Sequence, residues 1–275
     1  MHSISPSDAA LEGFSVLGRR WRAVAGWALA NLVAWIALCV LLVVLLVGLA
    51  PFAGSRDAAG LLGAVTGALL LGVGGGLVEL VIFCGLYRVE LQPEAPGFLH
   101  LRLGRQELRV LGAVLVLALI VAPLGVIDVL AARLAARASA GAAFAVALAG
   151  LLAIYAFMLR FGLTPVIAFA EGRISPVESW RRTRGQTWRL IGMVVLLLFV
   201  LLLLAVVIAL TIFVVSGLMT GFSDLGLAGV DAFQAHPGRY LFQLAVQLLL
   251  APVWIVIGQA PWVAVYRARL EPSAA

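Results

Sequence analysis

Two charges stand inside otherwise apolar stretches of the chain, Glu79 and Arg160, and they are the sharpest candidates for chemistry. A charge within a membrane-length apolar run is costly, and one that persists usually faces a partner, a cavity or a site. Glu79 lies nine residues before Arg88, and Arg160 lies eleven before Glu171. At ~1.5 Å per helical residue, both would sit roughly 13–17 Å from the same end of their runs. Equal depth leaves three arrangements open: a Glu79–Arg160 ion pair, a site for a polar or anionic headgroup, or an Arg160 that snorkels to the interface without a partner. Asp128, near the end of its run and close to Arg133, reads as interfacial.

Catalysis finds little support. His2, His100 and His236 are scattered and make no metal-ligand spacing. Cys39 and Cys84 lie in apolar runs and read as small hydrophobes. No serine sits in a nucleophile elbow, and the carboxylates do not cluster as an acid–base pair. Gly72-x-Gly74-Gly75-Gly76 has no preceding strand, and the chain has no lysine for a phosphate loop. Those glycines, like Gly63 and Gly67, read as small residues for close helix packing. The expectation is a non-enzymatic protein with no cofactor and no metal.

The elements that must carry these residues are membrane helices. Of 275 residues 64% are apolar and 12% charged, whereas a soluble domain is about 45–50% apolar and about 25% charged. Such a chain could not cover itself with polar surface in water, and disorder is excluded with solubility. Six runs, 24–55, 58–87, 110–132, 138–170, 190–223 and 240–266, carry at most one charge each. Each exceeds the ~20 residues a helix needs to cross the hydrocarbon core. The spacing predicts spans at about 24–49, 61–87, 110–132, 141–169, 190–217 and 240–266 within a single integral membrane domain, 1–275. The runs are solidly apolar rather than alternating, so a barrel is excluded and the fold class is all-α. A long run and Pro51 after Gly48-Leu49-Ala50 mark the first span as a retained helix rather than a cleaved leader.

All 19 basic residues are arginine. Fourteen precede span 1, follow span 6, or lie between spans 2 and 3 or 4 and 5; four lie on the other side, and Arg160 is within a span. Positive-inside then places both termini in the cytoplasm of a bacterial inner membrane. The high pI reflects these junctional clusters, not a nucleic-acid-binding stripe. The expected partners are membrane lipids with anionic headgroups, a second copy of the chain or a membrane partner protein, and no nucleic acid.

Three segments beside the spans read as interfacial helices: 7–22, 99–109 and 177–188. Ser175-Pro176-Val177-Glu178 has the form of a helix start, with Ser as cap, Pro in the first turn and Glu three positions after the Ser. Each segment carries a glycine shortly before a terminal arginine (Gly18 and Arg22, Gly104 and Arg109, Gly185 and Arg189), which suggests three repeats of interfacial helix plus hairpin.

The stretch 160–192 carries Arg160, Pro165, Glu171-Gly172, Ser179-Trp180-Arg181, Thr183-Arg184-Gly185 and Trp188-Arg189. It resembles the membrane domain associated with bacterial glycerophosphoryl diester phosphodiesterases and related six-helix inner-membrane proteins. Glu178 and Arg182 depart from that pattern, which often has Arg and an apolar residue there. The soluble phosphodiesterase barrel has no counterpart in these residues. The resemblance therefore implies a membrane module for scaffolding, or for handling lipid or glycerophosphodiester-like molecules, not the hydrolase. The alternative is a small transporter with an intramembrane site near Glu79 and Arg160.

Overall fold

A computed structural model describes residues 5–49, 56–92, 98–220 and 235–270. Among them every regular element is helical: α1 (Pro6–Leu49), α2 (Arg56–Gly67), a π-helical stretch (Ala68–Gly74), α3 (Gly75–Leu91), a 3-10 turn (Phe98–His100), α4 (Arg105–Ala135), α5 (Ala140–Met158), α6 (Thr164–Ala170), α7 (Pro176–Thr183), α8 (Thr187–Thr220) and α9 (Pro237–Leu270). Six helical stretches are long and apolar enough to cross a bilayer: Pro6–Leu49, Gly60–Leu91, Arg105–Ala135, Ala140–Met158, Thr187–Met219 and Pro237–Ala268. The chain is an all-α, multi-pass membrane protein. Along α1, Leu29, Val33, Ile36 and Val40 form a row more than half exposed. Water would drive such a row to associate, whereas hydrocarbon solvates it.

Two compact units can be separated, one of Met1–Glu12, Cys84–Leu196 and Gln259–Ala275, the other of Gly13–Phe83 and Leu197–Gly258. In the second unit, small residues let helices approach closely. Gly13 sits against the Ile257 backbone, and Gly74 and Gly75 lie under the Leu38 and Trp35 side chains. In the glycine run of span 2, Gly74 and Gly75 are thus packing positions, whereas Gly72 and Gly76 have open space beside them. Pro252 has no N–H to give the Leu248 carbonyl four residues earlier, which leaves an acceptor unsatisfied inside a helix. Asn31, fully buried on α1, donates to that carbonyl at 2.7 Å.

In the first unit, α4 and α5 form a hairpin, and the Ser139 hydroxyl caps α5 by accepting from the Ala142 amide at 3.0 Å. Asp128 on α4 lies against Gly150 of α5, where a Cβ would clash. Pro123 remains within α4. The fourth span ends at Met158, not at 169, and residues 159–163 form turns before α6. Two features stop it. Pro165 removes an amide and its ring would crowd the Phe161 carbonyl; Gly162 turns its bare Cα to the Trp262 indole, where a Cβ would overlap the ring. Residues 163–169 are all buried, packed in protein rather than lipid.

The interfacial segments also differ from one another. The segment 7–22 runs on into span 1 within α1, bent where Arg20 takes φ −120°. The segment 99–109 is a 3-10 turn with left-handed Leu99 and His100, a short extended link and the first residues of α4. Of the three, α7 is a separate short helix, so the threefold repeat is not matched element for element.

Candidate functional site

The α7 segment is built as its sequence suggests. Ser175 accepts from the Glu178 amide at 3.2 Å, and Pro176 opens the helix. The helix stops at Thr183 because Gly185, at φ +83°, adopts a left-handed turn that leads into α8. The expected helix over 177–188 is therefore two pieces, with Trp188 and Arg189 exposed in the first turn of α8.

The buried side of α7 closes the break in the fourth span. The Thr164 amide bonds to Phe161 O at 2.8 Å, so it does not serve the Arg160 carbonyl four residues back. Two α7 hydroxyls take its place: Ser179 Oγ donates to Arg160 O at 2.8 Å, and Thr183 Oγ1 lies 3.2 Å from it. Both hydroxyl-bearing residues are buried. The Arg160 guanidinium lies 5.1 Å from the Trp180 ring centroid. That ring packs on Phe157 and Phe161 at 5.8 and 5.5 Å. Arg160, Ser179, Trp180 and Thr183 thus meet at one place, next to Pro165.

A second cluster fixes the ends of α7. Glu171, at the end of α6, accepts from Arg173 at 2.7 Å, from Arg182 at 2.6 Å and from the Tyr266 hydroxyl at 3.1 Å. Arg182 also donates to Glu178 at 2.8 Å, and Arg181 pairs with Glu178 at 2.6 Å. The two positions that depart from the resemblance, Glu178 and Arg182, are therefore partners. Burial pushes the Glu171 carboxyl up, but the bonds from Arg173, Arg182 and Tyr266 hold it below its usual range. The Arg182 hydrogen bond, against a smaller effect of burial, holds Glu178 low as well. Carboxylates with depressed values stabilise the fold fully above their unfolded pKa, about 4.3, and lose that contribution as pH falls through the lower folded value. We expect the melting temperature in detergent to hold from neutrality to about pH 4.5 and to fall below it. The fall should shrink in Arg182→Met; an equal fall in that variant would locate the acid sensitivity elsewhere.

Comparison of the chain with protein-family models, with curated proteins and with solved structures finds no match. Function is therefore argued from the site itself.

Glu79 and Arg160 lie in different units. Glu79 is exposed on α3 and enters no ion pair among the described residues. The equal-depth argument required an unbroken helix through 169. With the span ending at Met158, Arg160 lies just beyond a helix end, and its described contact is aromatic. Arg184 is exposed beside Gly185 at the end of α7.

The sequence reading passed over the most buried ion pair among the described residues. Arg88, at the end of span 2, pairs with Glu107 in the first turn of α4, with both side chains essentially inaccessible. Arg88 also donates to the His100 carbonyl and lies 5.6 Å from the Phe169 ring centroid. Arg267 likewise pairs with Glu90 and donates to its carbonyl at 2.7 Å. The available signal was position: Arg88 and Glu107 bracket the junction between consecutive spans. Among the described residues no three His, Cys, Asp or Glu side chains gather as metal ligands.

Proposed function

We propose that the chain is a multi-pass protein of a bacterial inner membrane, with both termini cytoplasmic. It performs no catalysis and presents an arginine–tryptophan surface to anionic lipid headgroups or glycerophosphodiester-like molecules, as a scaffold in the membrane. The observation that carries this reading is the outward side of α7 and its flanks. Val177 and Trp188 are 78% and 85% exposed, and Trp180 is 39% exposed. They stand among exposed Arg173, Arg181, Arg184 and Arg189. Arg173 and Arg181 are balanced by Glu171 and Glu178, while Arg184 and Arg189 make no ion pair among the described residues. Exposed indoles beside uncompensated arginines suit the headgroup level, where the rings lie at the acyl boundary and each arginine gains about 1 kcal/mol from an anionic surface. The α7 hydroxyls bonded to Arg160 O hold this surface against the helix bundle, so it is presented ready-made. The resemblance of 160–192 to the phosphodiesterase-associated membrane domain supports the same reading.

The test is lipid selectivity of the purified full chain. In detergent containing equal phosphatidylglycerol and phosphatidylcholine, native mass spectrometry should show phosphatidylglycerol retained in several-fold excess. Equal retention of the two would remove the headgroup reading.

A further inference from the structure

The α5 helix has 19 residues. At ~1.5 Å each it is about 28 Å long, close to the ~30 Å hydrocarbon core. Arg160, two residues past its end, therefore falls at the bilayer boundary. There its backbone is held by Ser179 and Thr183, and its guanidinium carbon lies over the Trp180 ring. Among the described residues the guanidinium N–H groups have no hydrogen-bond or ion-pair acceptor. Within this unit the neighbouring carboxylates are already engaged: Glu90 by Arg267, Glu107 by Arg88, Glu171 by Arg173 and Arg182, and Glu178 by Arg181 and Arg182. Arg160 is half-buried and enters no ion pair among the described residues. A half-buried guanidinium with no acceptor among the described residues can take a bidentate one, and a phosphate group supplies two oxygens at the matching spacing.

We propose that Arg160 and Trp180 form a seat for one phosphodiester anion. The guanidinium donates to two phosphate oxygens while its cation–π contact with the indole holds it at this place. The seat rests on the headgroup reading above and narrows it to one site. The diester belongs either to a lipid headgroup or to a soluble glycerophosphodiester, and the chemistry recognised is the same.

The experiment uses the full chain in mild detergent, titrated with phosphatidylglycerol and followed by native mass spectrometry. Arg160→Gln keeps the backbone carbonyl that anchors α7, and an unchanged melting temperature confirms folding. Losing a charge-assisted bidentate contact should lower affinity for the first phosphatidylglycerol about tenfold. Arg160→Lys keeps the charge without the planar fork and should recover part of the loss. Arg137→Gln, at the opposite end of α5, should change nothing. Competition by free glycerophosphoglycerol that vanishes in Arg160→Gln would assign the seat to the soluble diester. An Arg160 effect on phosphatidylglycerol without such competition would assign it to the lipid. If wild type prefers phosphatidylglycerol over phosphatidylcholine and Arg160→Gln binds it as well as wild type, the seat is wrong and the wider reading stands. If wild type shows no preference, the anionic-headgroup reading falls; because phosphatidylcholine also carries a phosphodiester, the seat falls with it only if Arg160→Gln binds phosphatidylglycerol as well as wild type.

Discussion

Replacing Glu107 with Gln is expected to destabilise the protein by about 3–5 kcal/mol, the cost of leaving a buried charge without its counter-ion. Arg88 is fully buried against Phe169, and Glu107 is its carboxylate partner. The neutral amide still reaches the guanidinium but cannot balance it. Arg88→Met in turn leaves the buried Glu107 without its counter-ion and should cost a comparable amount. The double change, Arg88→Met with Glu107→Met, should recover much of either single loss, since apolar replacement of a whole buried pair is often neutral. Unfolding titrations in mixed micelles measure this. A Glu107→Gln loss under about 1 kcal/mol would mean that the pair is hydrated, as exposed pairs are. Because Arg88 also holds the His100 carbonyl, the loss should be accompanied by faster proteolysis around residues 98–104.

The second large effect belongs to Asn31. Asn31→Leu should cost about 1–2 kcal/mol, because the Leu248 carbonyl then has neither its helical amide nor a side-chain donor in a medium without water. Pro252→Ala restores that amide. In its background Asn31→Leu should cost much less, since the carbonyl is already satisfied. A double-mutant cycle reads the coupling directly. Additive losses would show that Asn31 serves something other than the gap left by Pro252.

Six spans and the helical class were legible because a bilayer imposes a coarse rule: long apolar runs cross it, and arginine clusters mark the junctions. The end of the fourth span was not legible for the same reason. Residues 163–169 are as apolar as the helix before them, but they are buried in protein, whereas Phe144, Leu151 and Leu152 on α5 are exposed. Hydropathy reports dislike of water and does not distinguish lipid from a protein interior. That ambiguity placed Arg160 deep in a span and suggested Glu79 as its partner, when Gly162 and Pro165 were marking a break. The residues of α7 were legible as a capped basic helix, and Ser175, Pro176 and Gly185 act as their types suggest. The roles of Ser179 and Thr183 were not, because the acceptor they serve exists only after the chain has broken nineteen residues before Ser179. The Arg88–Glu107 pair was not legible, because Arg88 counts only as one more junctional arginine until consecutive spans bring it to Glu107.

The central claim is that the outer side of α7 lies on the membrane surface. The most direct measurement is depth by spin labelling, in bilayers of phosphatidylglycerol and phosphatidylcholine. One variant carries Val177→Cys and another Arg184→Cys, each with Cys39 and Cys84 replaced by alanine. The account predicts that power saturation finds the label at 177 at the acyl–headgroup boundary, more accessible to oxygen than to a water-soluble nickel chelate, and the label at 184 with the reverse preference. A label at 177 as open to the chelate as the one at 184 would place α7 in water and contradict the account.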